Sequence, residues 1–206
     1  MSPRRPDLPP LARSELRADP FQQFEVWFER ALDEAPLAEA MTLATVDLSG
    51  HPDARMVLLK GFGPAGFRFF TNFESAKGAQ LGGMPYAALV VYWRELDRQV
   101  RARGPVERLS DEDSDAYFAT RPPESQLGAW ASPQSKPIHS RGELDGLLDE
   151  ARARFGDGPV ARPPHWGGYV LRPDTVEFWQ GQVGRLHDRF RYTRRDDAWQ
   201  IERLGP

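Results

Sequence analysis

From Met41 onward the apolar residues recur at every second position, and this restricts the fold strongly, because only an extended backbone places alternate residues on one face. MTLATVD (41–47), a turn at LSGHP, ARMVLLKG (54–61), a Gly-Pro-Ala-Gly turn and FRFFTN (67–72) follow one another at hairpin spacing. They predict a three-strand antiparallel meander. Gly61, Gly63 and Gly66 happen to fit GxGxxG, but they join two strand patterns around Pro64. A dinucleotide fingerprint must open a helix, so this is a hairpin loop. Further on, the unbroken apolar run YAALVVYW (86–93) predicts a buried strand, and DRQVRARGPVERL (97–109) a long strand bent at Gly104-Pro105. WGGYVLRP, TVEFWQG, the stretch that follows it and AWQIERL complete eight or nine strands. With three or four helices, that count favours a mainly β, closed or nearly closed antiparallel barrel over a parallel sheet.

The helices announce themselves by caps. Asp19-Pro20 opens a segment in which Phe21, Phe24, Phe28 and Leu32 recur at helical spacing, predicting a helix over 20–34 packed by its aromatic face. SAKGAQLGG (75–83) predicts a short helix whose start, beside Ser75 and Lys77, would suit a phosphate, although from spacing alone a capped surface helix is the preferred reading. Ser110 with Asp113 predicts a helix over 111–120, ending before Arg121-Pro122-Pro123, and Ser140 with Glu143 one that runs to Phe155. Residues 1–18, rich in Pro and Arg, read as a flexible arm preceding one domain over 19–206.

Global numbers remove several function classes. With 27 Lys and Arg against 30 Asp and Glu the net charge is −3, so nothing global draws the chain to nucleic acid or an anionic membrane. The absence of cysteine excludes disulfides, thiolate nucleophiles and zinc–thiolate sites. The longest apolar run, residues 87–93, is far short of a membrane span, and the N-terminus has no apolar core of the signal-peptide kind. The expected location is cytoplasmic. His51, His139, His165 and His187 lack metal-site spacing, so no metal is expected, and neither GxSxG nor a P-loop occurs.

What remains is a surplus of cations and aromatics. In EFWQGQVGRLHDRF (177–190), Arg185, His187 and Arg189 alternate, and on a strand they would share one face toward an anionic or planar partner. A solvated polar face is the bland alternative; Phe178, Trp179 and the two glycines of WQGQVG speak against it. Tyr117 and Arg121 are four apart on one predicted helical face with Ser125 just beyond, which leaves open whether they hold an anion or serve as a core-edge tyrosine and a dipole partner.

RMVLLKGF, FRFFTNFES, DRQVR, YFATRPPESQLGAW, SPQS, WGGYVL and EFWQGQVGRLHDRF occur in the order found in pyridoxamine 5′-phosphate oxidases, which the chain resembles from about residue 19 to 206. The resemblance implies an FMN-binding split barrel and a homodimer with FMN at the subunit interface. It also implies oxidation of pyridoxamine or pyridoxine 5′-phosphate by O₂ to pyridoxal 5′-phosphate and H₂O₂, with hydride passing from the substrate carbon to the flavin. Carried over by position, the FMN contacts are Arg55, Met56, Val57, Leu58, Leu59, Lys60, Phe70, Thr71, Lys77, Gln99, Gln134, Ser135, Trp179 and Arg189. Among them Arg55, Lys77 and Ser135 would address the cofactor phosphate, and Gln99, Trp179 and Arg189 the ring. Lys60, Tyr117, Arg121 and Ser125 would hold the substrate phosphate, while Arg185 and His187 would cover its pyridine ring and orient it for reaction. The chain departs from the family pattern twice: Ala76 stands where an arginine is usual, and residues 11–18, LARSELRA, lack the Arg-x-x-Tyr element that often folds over the substrate.

Overall fold

The computed structural model describes residues 8–196 and 198–206. Among these, ten strands and five α-helices form an antiparallel split barrel with the helices outside it. Strands β1 (Ala40–Val46) and β2 (Pro52–Leu58) pair as the first hairpin, and β3 (Gly61–Gly63) and β4 (Gly66–Asn72) as the second, short one. Strand β5 (Tyr86–Trp93) pairs with β1 on one edge and with β6 (Arg98–Arg108) on the other.

The long β6 decides the topology. Its first half, Arg98 to Arg103, pairs with β8 (Thr175–Gln180), and its second half, Val106 to Arg108, pairs with β7 (Trp166–Leu171), which also pairs with β4. The bend falls at Gly104-Pro105, where a side chain on Gly104 would collide with the carbonyl of Arg172. One strand thereby serves two sheet halves. Strands β9 (Asp188–Arg195) and β10 (Ala198–Arg203) extend the β8 edge.

Helix α1 (Pro20–Glu34) begins where the Asp19 carboxylate accepts the Phe21 N–H at 2.7 Å. Its buried stripe is Phe21, Phe24, Trp27 and Ala31, whereas Leu32 is exposed and Phe28 lies at the margin. The shift from the expected stripe has a partner: the Trp27 ring stands edge-on to Phe178 of β8 at 5.2 Å, and Phe24 meets Phe62, Phe67 and Trp93. Each such ring contributes about 1.5–3 kcal/mol of burial, so α1 ties the two sheet halves together.

Four further features depart from the sequence reading. Strand β5 is not buried throughout: Ala87, Leu89, Val91 and Trp93 face the core while Tyr86 and Tyr92 are exposed. The tenth strand is the three-residue β3, too short to show a period. Beyond α2 (Ala76–Gly83), α3 (Asp111–Ala119) and α5 (Arg141–Phe155), a helix α4 spans Pro123–Ala131. The Pro122-Pro123 pair that ends α3 also starts α4, because proline in a first turn loses no hydrogen bond. Of the expected arm, residues 1–7 lie outside the described residues, but residues 8–18 are packed: Leu11 and Leu16 are buried, and the Tyr192 hydroxyl donates to the Arg17 carbonyl at 2.8 Å. Among the described residues no helix is long and apolar enough to cross a membrane.

Candidate active site

Strands β2 and β4, helices α2 to α4 and the start of β7 surround a cleft of ≈ 450 Å³ with a cationic pole at each of two places. The first is built on Lys77 in the opening turn of α2, a helix capped by Ser75, whose hydroxyl accepts the Gly78 N–H. The Lys77 ammonium donates to Gln134 Oε1 at 2.7 Å, Thr71 Oγ1 at 3.1 Å and Ser75 Oγ at 3.3 Å, all neutral oxygens. Burial, and then repulsion from Arg55, push its pKa below the usual lysine value. Arg55 donates to Thr45 Oγ1 at 2.6 Å and Gln80 Oε1 at 2.9 Å and pairs with Asp53 at 2.6 Å. Hydrogen bonds from Gln80 and Arg55 hold the Asp53 carboxyl below its ordinary range. Asp53 lies outside the cleft lining, so the lining itself presents Lys77 with no carboxylate beside it. Ser135, one residue beyond Gln134, is exposed with a left-handed backbone (φ 69°).

The second pole is Arg121, between α3 and α4. Its guanidinium carbon lies 4.5 Å from the Trp166 ring centroid, and its buried Nη1 has no hydrogen-bond partner among the described residues. Burial lowers its pKa, partly offset by Tyr117. The Tyr117 ring stacks on Phe70 at 3.9 Å, with Trp166 nearly parallel beyond, forming a flat aromatic wall. Ser125, in the first turn of α4, and the exposed Lys60 line the same cleft. Two anion-seeking ends joined by a flat wall match a phosphorylated planar molecule.

The remaining candidates divide. Val57 is half-buried and lines the cleft together with the exposed Met56 and Leu58, while Leu59 belongs to the core. Gln99, Trp179 and Arg189 stand directly opposite one another across β6, β8 and β9, in a row that continues to the exposed Tyr92. The buried Glu177 accepts from Arg189 Nε and Nη2 at 2.9 Å and pairs with Arg101 at 3.4 Å. This row lies on the same sheet face as Met56 and Leu58, but β2 and β8 are four strand steps apart, about 19 Å at normal spacing.

The alternating Arg185, His187 and Arg189 are not on one strand. β8 ends at Gln180, residues Val183–Arg185 form a 3-10 turn, and β9 starts at Asp188. Gly184 at φ 68° and Arg185 at φ 66° reverse the chain there, which an extended run cannot do. Arg185 is exposed at the tip, while the His187 ring lies 4.6 Å from Trp179. Its Nδ1 accepts the Gln182 N–H at 3.1 Å, so the neutral ring carries its proton on Nε2.

The sequence reading missed Trp166, Asp53, Gln80 and Glu177. Trp166 was visible only as the start of a strand. Its place in the cleft follows from the pairing Asn72↔Trp166, which sets β7 beside β4.

Residues 28–154 match the sequence family described as pyridoxamine 5′-phosphate oxidase. The chain belongs to that family. Residues 166–206 match the pyridoxine 5′-phosphate oxidase C-terminal dimerisation region. Two proteins named pyridoxine/pyridoxamine 5′-phosphate oxidase are close in sequence. The one from Paraburkholderia phytofirmans is 53% identical over 196 residues, 94% of this chain and 92% of its own length. That from Burkholderia mallei is 54% identical over 200 residues, 95% and 93% of the two chains. Among solved structures, PhzG from Burkholderia lata in complex with tetrahydrophenazine-1-carboxylic acid superposes with a TM-score of 0.89 at 28% identity, covering 95% of this chain and 98% of its own. A pyridoxamine 5′-phosphate oxidase-related, FMN binding protein of Nostoc punctiforme shares the fold, with a TM-score of 0.71 at 22% identity over 91% and 98% of the chains. Ala76, where the resemblance leads to an expectation of arginine, is the exposed first residue of α2.

Proposed function

We propose that this protein is an FMN-dependent oxidase that converts pyridoxine or pyridoxamine 5′-phosphate with O₂ into pyridoxal 5′-phosphate and H₂O₂. With the amine, one water enters and ammonia leaves. The observation that carries the reading is Arg121: a guanidinium held against Trp166 with a buried, unpartnered Nη1 is costly unless an anion completes it. Tyr117, Ser125 and Lys60 share that cleft and would take the rest of a substrate phosphate. The neutral-ligated Lys77 fits the phosphate of FMN, with Arg55 and Ser135 nearby. FMN, when bound, supplies the two-electron acceptor. The chain's part is to hold a flat substrate at fixed distance and exclude water, which is where most of the protein's contribution to such chemistry lies.

A homodimer is part of this proposal. Met56, Leu58, Tyr86 and Tyr92 leave large apolar side chains exposed, and Met56, Leu58 and Tyr92 share one sheet face with the Gln99, Trp179 and Arg189 row. Pairing two such faces would bring the row and the Arg185–His187 turn of one subunit over the cleft of the other. The 19 Å separation estimated within one chain is the reason a second copy is needed.

The likeness to PhzG favours a second reading, an oxidase acting on an aromatic compound without phosphate. It would leave Arg121 uncompensated. The test is O₂ consumption by the yellow protein with pyridoxamine 5′-phosphate and with unphosphorylated pyridoxamine. Turnover that requires the phosphate supports the first reading; equal turnover supports the second. A flavin spectrum without turnover of either compound would refute the first reading and fit an oxidase of another aromatic compound or a binding protein.

A further inference from the structure

Asp188 sits between His187 and Arg189, yet its carboxylate is buried and used entirely within the protein. Oδ2 accepts the Leu11 N–H at 2.9 Å and the Gln182 side-chain amide at 3.0 Å, and Oδ1 accepts from Arg203 at 2.6 Å. Arg203 in turn donates to the Leu11 carbonyl at 2.7 Å and lies over the Phe190 ring at 4.4 Å. The Pro9 carbonyl accepts from Gln180 at 2.9 Å and Gln182 at 3.4 Å. Gln182 is therefore shared: its side chain binds Asp188 and residue 9, and its backbone N–H fixes the His187 ring.

We propose that Asp188 is a positioning residue that joins the N-terminal segment at residues 9–11 to the turn carrying Arg185 and His187, so that docking of the segment sets where that turn meets substrate. The inference rests on the functional reading above. It assigns residues 9–11 a role that does not need the Arg-x-x-Tyr element absent from residues 11–18. Segment, carboxylate, Gln182 and His187 form one chain of hydrogen bonds, and release at either end removes an acceptor or donor from the next member. The groups facing the Asp188 carboxylate are the Arg203 guanidinium, the Gln182 amide and the Leu11 N–H.

The test compares Asp188→Asn and Gln182→Leu with the parent protein, using FMN and pyridoxamine 5′-phosphate. Three readouts are taken: FMN affinity by fluorescence titration, KM and kcat by O₂ consumption, and the rate of tryptic cleavage after Arg13. Asp188→Asn is expected to raise KM about tenfold, the factor set by one hydrogen bond to a charged group, while kcat and FMN affinity stay within about twofold. Cleavage after Arg13 should accelerate. Gln182→Leu, which leaves the Asp188–Arg203 pair intact, should move both quantities in the same direction by less, and it serves if Asp188→Asn fails to fold. Faster cleavage with an unchanged KM in both variants would overturn the coupling, as would a raised KM with the segment still protected. A parent protein that binds FMN but does not turn over pyridoxamine 5′-phosphate would overturn the functional reading and the substrate half of this inference, leaving cleavage to decide the docking half.

Discussion

Replacing Arg121 by methionine should push stability and substrate affinity in opposite directions. Without ligand, the arginine buries an Nη1 that has no partner among the described residues, and burial depresses its pKa, so the charge is held at a cost. An unsatisfied buried donor costs about 1–3 kcal/mol, and a partly exposed cation–π contact such as that with Trp166 returns about 0.5–1 kcal/mol. Methionine removes the orphan and keeps a sulfur–aromatic contact worth about 0.3–1.5 kcal/mol. The net gain is about 2 kcal/mol, a Tm rise of about 4–8 °C for a chain of this size. Substrate binding should suffer in return: loss of a charge-assisted contact of about 1.5–3 kcal/mol raises KM for pyridoxamine 5′-phosphate about 10- to 150-fold. Because that phosphate does not react, kcat should be nearly unchanged. Thermal unfolding with and without inorganic phosphate, beside steady-state O₂ consumption, reads both effects. A fall in Tm of several degrees in the unliganded variant would show that Arg121 is structural, and an unchanged KM would remove it from the substrate site.

Three further outcomes follow from the same geometry. Ala76→Arg, at the exposed first residue of α2, should tighten FMN by up to about tenfold with little change in kcat at saturating FMN; fluorescence titration of the apoprotein checks it, and equal affinities would mean another residue already fills that role. Lys77, whose folded-state pKa lies below 10.5, leaves the unfolded chain binding more protons between those two values, so its contribution to stability rises with pH in that window. The unliganded Lys77→Met protein should lose that rise when Tm is followed below pH 10, before Tyr86, Tyr117 and Tyr192, whose pKa values are raised, act in the opposite sense. An identical pH slope in parent and variant would mean that a carboxylate compensates the ammonium. Arg185→Ala or His187→Ala should leave the protein yellow and folded while lowering kcat/KM, since both belong to the turn and neither touches Lys77; loss of flavin on purification would contradict that role.

Much of the architecture was legible because it is local. Period-two runs specify strands wherever they occur, and caps such as Asp19, Ser75, Ser110 and Ser140 mark helix starts within a few residues of themselves. Local signals fail where one residue type serves two purposes. The Pro122-Pro123 pair stops one helix and opens the next, and the glycines around Val183 permit either a bulged strand or the reversal that is found. The flanks of YAALVVYW read as buried because composition cannot say which face another element covers. The site was legible as a set of residue types, cationic and aromatic with no metal or nucleophile, and the family resemblance supplied their positions. Sequence could not place Lys77 against Gln134, 57 residues away, or Arg121 against Trp166. Those contacts depend on strand register and on the bend at Gly104, long-range choices settled by packing of the whole barrel, and it is this packing that separates the cleft from the Gln99, Trp179 and Arg189 row by the width of a sheet.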